Sequence, residues 1–332
     1  NYLTFPITGT WMAYRRFRQR PDVIFVSLLS PIFQALPAIF LSWYHRVPLV
    51  YWVQDIWPES AIHTLRLRNR FAISGLTAVC RWIFRRADLV LVQSEAFPPM
   101  VTRYGVPEGH IRVLPNTAPQ MYQPLNGSAA PQIRHLMPKA EFTLMFGGNI
   151  GESQDFDTLL EVACLLRDRE VLHWVIIGSG RDLDRVRAKV AELGLADRFH
   201  LLGRYSEDDM PRFFAQADAL IVSLRENDIF NLTVPYKIQC YMACGKPILA
   251  AISGEGARVI RQSAGGIVVN PSQPAEMAEA IRRLMDLSPD ARKDMGRQAR
   301  AYFDLHYTPD LVYGNLERWL LEAAELAARQ AR

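Results

Sequence analysis

Residues 223–250 read SLRENDIFNLTVPYKIQCYMACGKPILA, and this stretch decides the fold. It runs from the end of a strand through an irregular loop into one short helix, a Gly-Lys-Pro turn and a new strand. Pro235 has no amide proton to waste and a φ already set for a first helical turn. Ile238, Tyr241 and Met242 then recur at i, i+3 and i+4, which makes an inward face. Gly245 ends the helix and Pro247 forbids its continuation. Ile248–Ala251 is an apolar run of buried-strand length. Thr233, Lys237 and Gln239 therefore sit near a helix N-terminus on the carboxyl side of a parallel strand. Free N–H groups and the helix dipole favour an anion at such a place. A lysine in that turn opposes the dipole unless an anion lies between them; otherwise Lys237 is a solvated surface lysine.

The same alternation extends in both directions. Upstream lie FTLMFGGNIG (142–151), HWVIIGSG (173–180), HLLGRY (200–205) and ALIVSL (219–224), each a strand or a strand with its turn. Amphipathic helices separate them, and GGIVVN (265–270) is the last strand before helices over about 274–287, 289–306 and from 309 to the end. The first part of the chain repeats the pattern, with strands expected at 22–28, 48–53 (PLVYWV), 88–94 (DLVLVQS) and 111–116 (IRVLPN). Fully apolar strands alternating with helices mean a parallel sheet covered on both faces. Residues 23–44 are apolar enough to raise a membrane span, but Pro31, Pro37 and Gln34 argue for a strand followed by a core helix. The domains expected are 1–118, a linker at 119–140 without periodicity, 141–308, and a terminal helix at 309–332.

Composition excludes several classes. The 332 residues are 49% hydrophobic, enough to build sizeable cores, and nothing in them signals disorder. Cys80, Cys164, Cys240 and Cys244 form no CxxC pair and read as free thiols. The net charge of +4 is unevenly spread: residues 1–118 hold 13 arginines, no lysine and six acidic residues, a formal +7 that leaves −3 for the rest. Arginines interleaved with aromatics (TWMAYRRFRQR, CRWIFRR) are either a solvated face or a surface for anionic lipid headgroups. No nucleic-acid-binding signature accompanies them.

Taken in order, VQDIWPES, IRVLPN, GGNIGESQDFDTLL, VIIGSGRDLDRV, LGRYSEDDMPRFFAQADALIVSL, TVPYKIQCYMACGKPILA and SAGGIVVNPSQPAEMAEAI resemble the family 4 glycosyltransferases. The likeness spans nearly the whole chain. It is strongest to the bacterial subgroup that transfers N-acetyl-fucosamine-type sugars in O-antigen and capsule assembly. The resemblance implies an α/β fold of two doubly wound Rossmann-like domains facing a cleft, the GT-B fold. It also implies that the second domain holds a nucleotide sugar. Gly147, Gly148 and Asn149 would form its first turn, where backbone amides could cradle a diphosphate or simply close a tight turn. Gly178 and Gly180 would shape the next turn. Gly203 and Arg204 match the stretch that meets the nucleobase, and Thr233, Gln239 and Glu255 are further donor-side candidates. Arg204 and Glu255 read equally as a salt-bridged and a loop residue. Gln54, Trp57 and Glu59 fall on the acceptor side.

Departures from the family pattern shape the chemistry expected. Asn149 and Gln154 stand where many members carry Arg and Lys. Leu232 and Cys240 stand where they carry two glutamates, and Gln54–Asp55 replaces a His-Asp pair. Diphosphate charge then falls to Lys237, helix N-termini and Arg225. The match also begins partway into the first domain, so about 80 residues of a typical domain are expected to be missing and that domain incomplete. The expectation is a retaining transferase with Lys237, Asp55, Glu226 and Asp228 as catalytic candidates and a UDP-sugar as donor. The acceptor expected is a polyprenyl-diphosphate-linked saccharide at the inner face of the cell membrane, with peripheral contact to anionic lipid. No cofactor, metal or nucleic acid is called for. A sugar-nucleotide epimerase and a non-catalytic binding subunit are the alternatives.

Overall fold

The computed structural model of the protein describes residues 4–64, 67–125 and 131–330. The chain divides into two compact units. One is formed by the chain up to Pro115 together with the chain from Asp310, the other by Asn116–Pro309.

In the first unit, β1 (Ile24–Leu28), β2 (Leu49–Val53), β3 (Leu89–Val92) and β4 (Ile111–Val113) lie side by side in chain order, all parallel. Neighbouring residues on a strand point to opposite faces. Val50 and Tyr51, like Val90 and Leu91, are nevertheless all fully buried, so the sheet is covered on both sides. Among the described residues β1 pairs with β2 alone and forms an edge. The helices are α1 (Thr4–Arg16), α2 (Ala35–His45), α3 (Glu59–Thr64), α4 (Arg70–Phe84) and α5 (Pro98–Arg103). Asn69 caps α4, its side chain accepting from the Phe71 and Ala72 N–H groups. The apolar run at 23–44 resolves into β1, a single 3-10 turn and α2. No helix among the described residues is long and apolar enough to cross a membrane. The C-terminal helix (Pro309–Gln330) lies on this sheet: Val312 and Ala323 join Val50, Leu91 and Leu114 in one apolar cluster.

The second unit has six parallel strands: β5 (Phe142–Gly147), β6 (Leu172–Ile177), β7 (Phe199–Gly203), β8 (Ala219–Ser223), β9 (Ile248–Ala251) and β10 (Gly266–Val269). Their order is β10-β9-β8-β5-β6-β7. The chain starts in the middle, builds outward through β7, then returns to build the other side. The reversal between β5 and β8 opens a crevice at the strands' carboxyl ends. Helices α6 (Pro131–Arg134), α7 (Phe156–Leu165), α8 (Leu183–Glu192), α9 (Met210–Gln216), α10 (Asp228–Asn231), α11 (Tyr236–Ala243), α12 (Gly254–Ser263), α13 (Pro274–Asp286) and α14 (Pro289–His306) surround the sheet. Leu144 and Phe146 of β5 belong to one core, with α7, α8 and α13; Met145 belongs to the other, with α9, α11 and α12.

Residues 119–140 are more than a tether. Tyr122 and Ile133 are buried in the second unit's core, and Tyr122 stacks on Phe214. Isolated anchors without a period leave no pattern in a Pro-rich stretch. Residues 126–130 of that stretch lie outside the described residues.

Candidate functional site

The site is built on α11. Pro235 is its N-cap, with φ −54° and an extended ψ of 129°, so the helix starts one residue later than a first-turn proline would place it. Ile238, Tyr241 and Met242 are fully buried, as the i, i+3, i+4 spacing requires. Gly245 leaves the helix at φ +64°. Its N–H donates to the Met242 carbonyl and that of Lys246 to the Tyr241 carbonyl, which closes the end as a Schellman turn. The Lys246 ammonium donates to the Ala215 and Ala217 carbonyls and so belongs to the scaffold.

Tyr241 joins the helix to the glycine turn after β5. Its hydroxyl accepts from the Gly147 N–H at 2.9 Å and donates to the Gly147 carbonyl at 3.2 Å. Backbone then packs directly on backbone. A Cβ on Gly178 would lie 1.8 Å from the Gly148 carbonyl oxygen, and Gly178 has φ +152°. The Gly148 N–H donates to the Ile177 carbonyl, that of Ile150 to Ser179, and that of Gly178 to Gly203. The Gly151 N–H donates to the Gln154 side chain. This corrects the picture of a cradle of open amides: among the described residues, only the Asn149 N–H of this turn has no protein acceptor. Nor does the turn lead straight into a helix. A short 3-10 turn (Glu152–Gln154) and Asp155, at φ +51°, precede α7.

These turns and α11 enclose a cavity of about 530 Å³. Gly147, Gly148, Asn149, Gly178 and Ser179 form one wall and Lys237 another. Tyr122, Tyr205, Met210, Phe214, Tyr236 and Cys240 make it largely aromatic and apolar, with Arg204 and Glu207 as its other charged groups. The Lys237 residue is half-buried, but its Nζ is closed off from solvent and has no hydrogen-bond partner among the described residues. Nζ lies 3.9 Å from the centroid of the Phe146 ring, and 3.4 Å from where a Cβ on Gly148 would stand. Burial pulls its pKa down from the ordinary lysine value to about 7. The solvated reading of this lysine is therefore set aside. Burial also pushes the neighbouring Cys240 thiol up to about 12, which keeps it protonated.

Other candidates are held elsewhere. Gln239 is fully buried and outside the cavity wall, on the side of α11 away from it. Glu255 is buried against Arg258, which it meets through two hydrogen bonds. The Thr233 hydroxyl donates to the Phe230 carbonyl, and Glu226 accepts from Asn231 and Ser253. Asp228 is exposed in the first turn of α10. Gly180 packs on the Ile150 backbone and Gly203 takes φ +82° at the end of β7, so both shape turns rather than walls. Arg225 is committed to Glu152, Asp155 and Asp157, and is not free for a diphosphate. In the first unit, Gln54, Asp55, Trp57 and Glu59 follow β2. Asp55 accepts from Ser60, Trp57 is buried and donates to Ser30, and Glu59 accepts from the Tyr104 hydroxyl at 2.5 Å. Sequence reading missed Tyr122, Ser179, Tyr205, Glu207, Met210, Phe214 and Tyr236. Of these, Tyr205 and Tyr236 carried a local signal, as aromatics directly beside Arg204 and Lys237.

Comparison with known proteins follows from this geometry. Residues 141–286 match the family described as Glycosyl transferases group 1, and residues 3–117 the Glycosyl transferase 4-like domain. A D-inositol 3-phosphate glycosyltransferase of Geodermatophilus obscurus is 31% identical over 272 residues, covering 73% of this chain and 59% of that protein. A 2-deoxystreptamine glucosyltransferase of Streptomyces kanamyceticus is 25% identical over 259 residues, 74% of this chain and 64% of that protein. Across such curated relatives the chain spans from 33% to 66% of their length. Among solved structures, Anabaena HepE in complex with UDP and glucose matches with a TM-score of 0.74 at 17% identity, covering 96% of this chain and 81% of that one. At that identity the likeness is one of fold.

Proposed function

The chain has the two-Rossmann GT-B fold and carries a glycosyl transferase 4-like domain followed by a glycosyl transferases group 1 domain, and on that premise we propose that it is a retaining glycosyltransferase using a UDP-sugar. The observation that carries this reading is the unpartnered Lys237 Nζ in the wall of a cavity at the β5–β8 reversal, beside the glycine turns. A diphosphate fits there because it supplies the acceptor oxygens that the amine lacks. The aromatic remainder of the cavity suits a base and ribose. A uridine nucleotide is supported by the HepE complex with UDP and glucose.

In the proposed reaction the glycosidic bond loosens and the diphosphate gains negative charge, which the Lys237 ammonium stabilises. The acceptor hydroxyl oxygen bonds to the anomeric carbon on the face from which the diphosphate departs and gives its proton to the leaving phosphate, so the anomeric configuration is kept. Asp228 and Glu226 are proposed to contact the transferred sugar, and Gln54, Asp55, Trp57 and Glu59 to serve the acceptor. That acceptor is a polyprenyl-diphosphate-linked saccharide of surface polysaccharide assembly, reached at the inner membrane face through the arginine-rich first unit.

Calorimetric titration of the chain with UDP, GDP and UDP-sugars tests the donor half of this reading. Selective binding of the uridine nucleotides is expected. A folded chain that binds no nucleotide would leave the fold without this function. In a transfer assay Lys237→Ala should lower turnover by about 10- to 1,000-fold, the range for one lost contact to developing charge.

A further inference from the structure

We propose that the cavity takes up its nucleotide sugar together with one proton, which goes to the Lys237 amine, so that donor affinity is set by pH across neutrality. This rests on the reading of the cavity as the donor site.

The geometry carries the argument. A lysine is normally solvated or paired, because a bare ammonium in an apolar setting is costly. Here Nζ is buried with no hydrogen-bond partner among the described residues, and it lies over the face of Phe146, 3.9 Å from the ring centroid. A ring face attracts a cation only weakly compared with a full hydration shell. Among the described residues no carboxylate pairs with it. On α11 itself the titratable neighbours are Tyr236, Cys240 and Tyr241, all held neutral by burial. The turns after β5 and β6 contribute only Gly147, Gly148, Asn149, Gly178 and Ser179 to the wall. From the segment after β7 come Arg204, a further positive charge, and Glu207, whose carboxylate accepts from the Tyr236 hydroxyl at 3.3 Å. Tyr122 faces the cavity with its own hydroxyl kept neutral by burial.

With its pKa at about 7, the amine of the empty site is close to half protonated at neutral pH. The two phosphates of a UDP-sugar carry fixed negative charge. Placed against Nζ, they supply charge-assisted hydrogen bonds that only the ammonium can donate. Its pKa then rises on binding, and linkage follows. Binding is strongest below pH 7, and weakens by about fivefold from pH 7 to 8 and by about tenfold over the next unit, until the pKa of the complex is reached. Proton uptake is about one half per nucleotide at pH 7 and rises towards one as the pH increases. Asn149 and Gln154 are uncharged, so the turn after β5 holds no permanent cation at these positions to mask the effect.

The test is calorimetry of UDP-glucose and UDP-N-acetylglucosamine with the chain at pH 8, in two buffers of different ionisation enthalpy, and affinities from pH 6.5 to 9. These probes are preferred to UDP, whose terminal phosphate titrates near pH 6 and would add its own protons. We expect a buffer-dependent heat equal to nearly one proton taken up, and an affinity that falls with pH. Lys237→Arg should bind without proton uptake, because a guanidinium never deprotonates in this range. Lys237→Met should bind weakly and without pH dependence. Wild-type binding with equal heats in both buffers and a flat affinity from pH 6.5 to 9 would overturn the coupling while leaving the donor site standing. Absence of binding at every pH by a folded chain would remove the donor site itself, and the proton with it.

Discussion

Lys237 and Gln239 sit two residues apart on α11 and meet opposite fates. Helical spacing turns them to different sides. Lys237 reaches the cavity wall, whereas Gln239 is fully buried and neither its Nε2 nor its Oε1 has a partner among the described residues. A buried amide with no hydrogen bond costs its full desolvation, about 1–3 kcal/mol, and removing it returns that cost. Methionine has nearly the same shape and adapts to irregular gaps. Gln239→Met should therefore raise stability by about 1 kcal/mol or more in urea unfolding, with the slope unchanged. Nucleotide binding should be unaffected. A destabilised variant would mean that the amide is satisfied, and a variant that loses nucleotide affinity would return Gln239 to the site.

Elements show why some of this was legible and some was not. The strands and α11 could be read because the cues are local: apolar runs of strand length, an i, i+3, i+4 face, a proline at one end and Gly-Lys-Pro at the other. Helix α1 could not, because Pro6, Gly9 and three threonines speak against a helix; packing of Tyr14 on Phe40 and Tyr44 of α2 overrides propensity. The glycines of the first turn were legible as a turn, yet their engaged amides were not. Those bonds depend on a tyrosine hydroxyl 94 residues away and on the carbonyl of Ile177. Arg225 was misread for the same reason. It comes after β8 but pairs with Glu152, Asp155 and Asp157 around the start of α7, while Asp157 also holds Arg185 and Lys189 of α8. This network ties three elements together at the edge of the site. The Arg185 hydrogen bond, helped by Lys189, holds Asp157 at about 2, below the usual carboxylate range. A depressed carboxylate contributes stability above its unfolded pKa near 4 and loses it as pH falls towards 2. Asp157→Asn should therefore destabilise the second unit at pH 7 by about 1 kcal/mol, the modest value of a partly exposed ion pair. The difference from wild type should shrink between pH 4 and 2. An undiminished difference at pH 2 would place the network's worth in packing rather than charge.

At the scale of the whole molecule, charge and exposed apolar surface are both concentrated in the first unit. The first 118 residues carry +7 and the remainder −3. Helix α1 has no acidic residue in its first turn and Arg15 and Arg16 in its last, while Phe5, Ile7, Trp11 and Met12 are exposed along it, Ile7 by 73% and Trp11 by 56%. The Arg15 guanidinium lies 4.1 Å over the Trp11 ring, and an apolar hollow runs between Ile7, Trp11 and Tyr14 of α1 and Leu36 and Phe40 of α2. Trp43 on α2 is exposed by 74%. Arginine with tryptophan suits the headgroup region, where a ring enters the acyl boundary and a guanidinium meets phosphate. The proposed lipid-linked acceptor requires the protein to work at such a surface. Co-sedimentation with vesicles puts this to the test. Binding is expected to vesicles containing phosphatidylglycerol and not to phosphatidylcholine alone, and to weaken as salt shortens the Debye length from about 10 Å at 0.1 M. Ile7→Ser with Trp11→Ser should remove most of the binding without changing nucleotide affinity, because both residues lie in the first unit and the cavity proposed for the nucleotide is lined by residues of the second. Equal binding to neutral vesicles would assign the patch to general hydrophobicity. No binding to either would make the arginines a solvated face, and the proposed acceptor would then have to reach the protein in water.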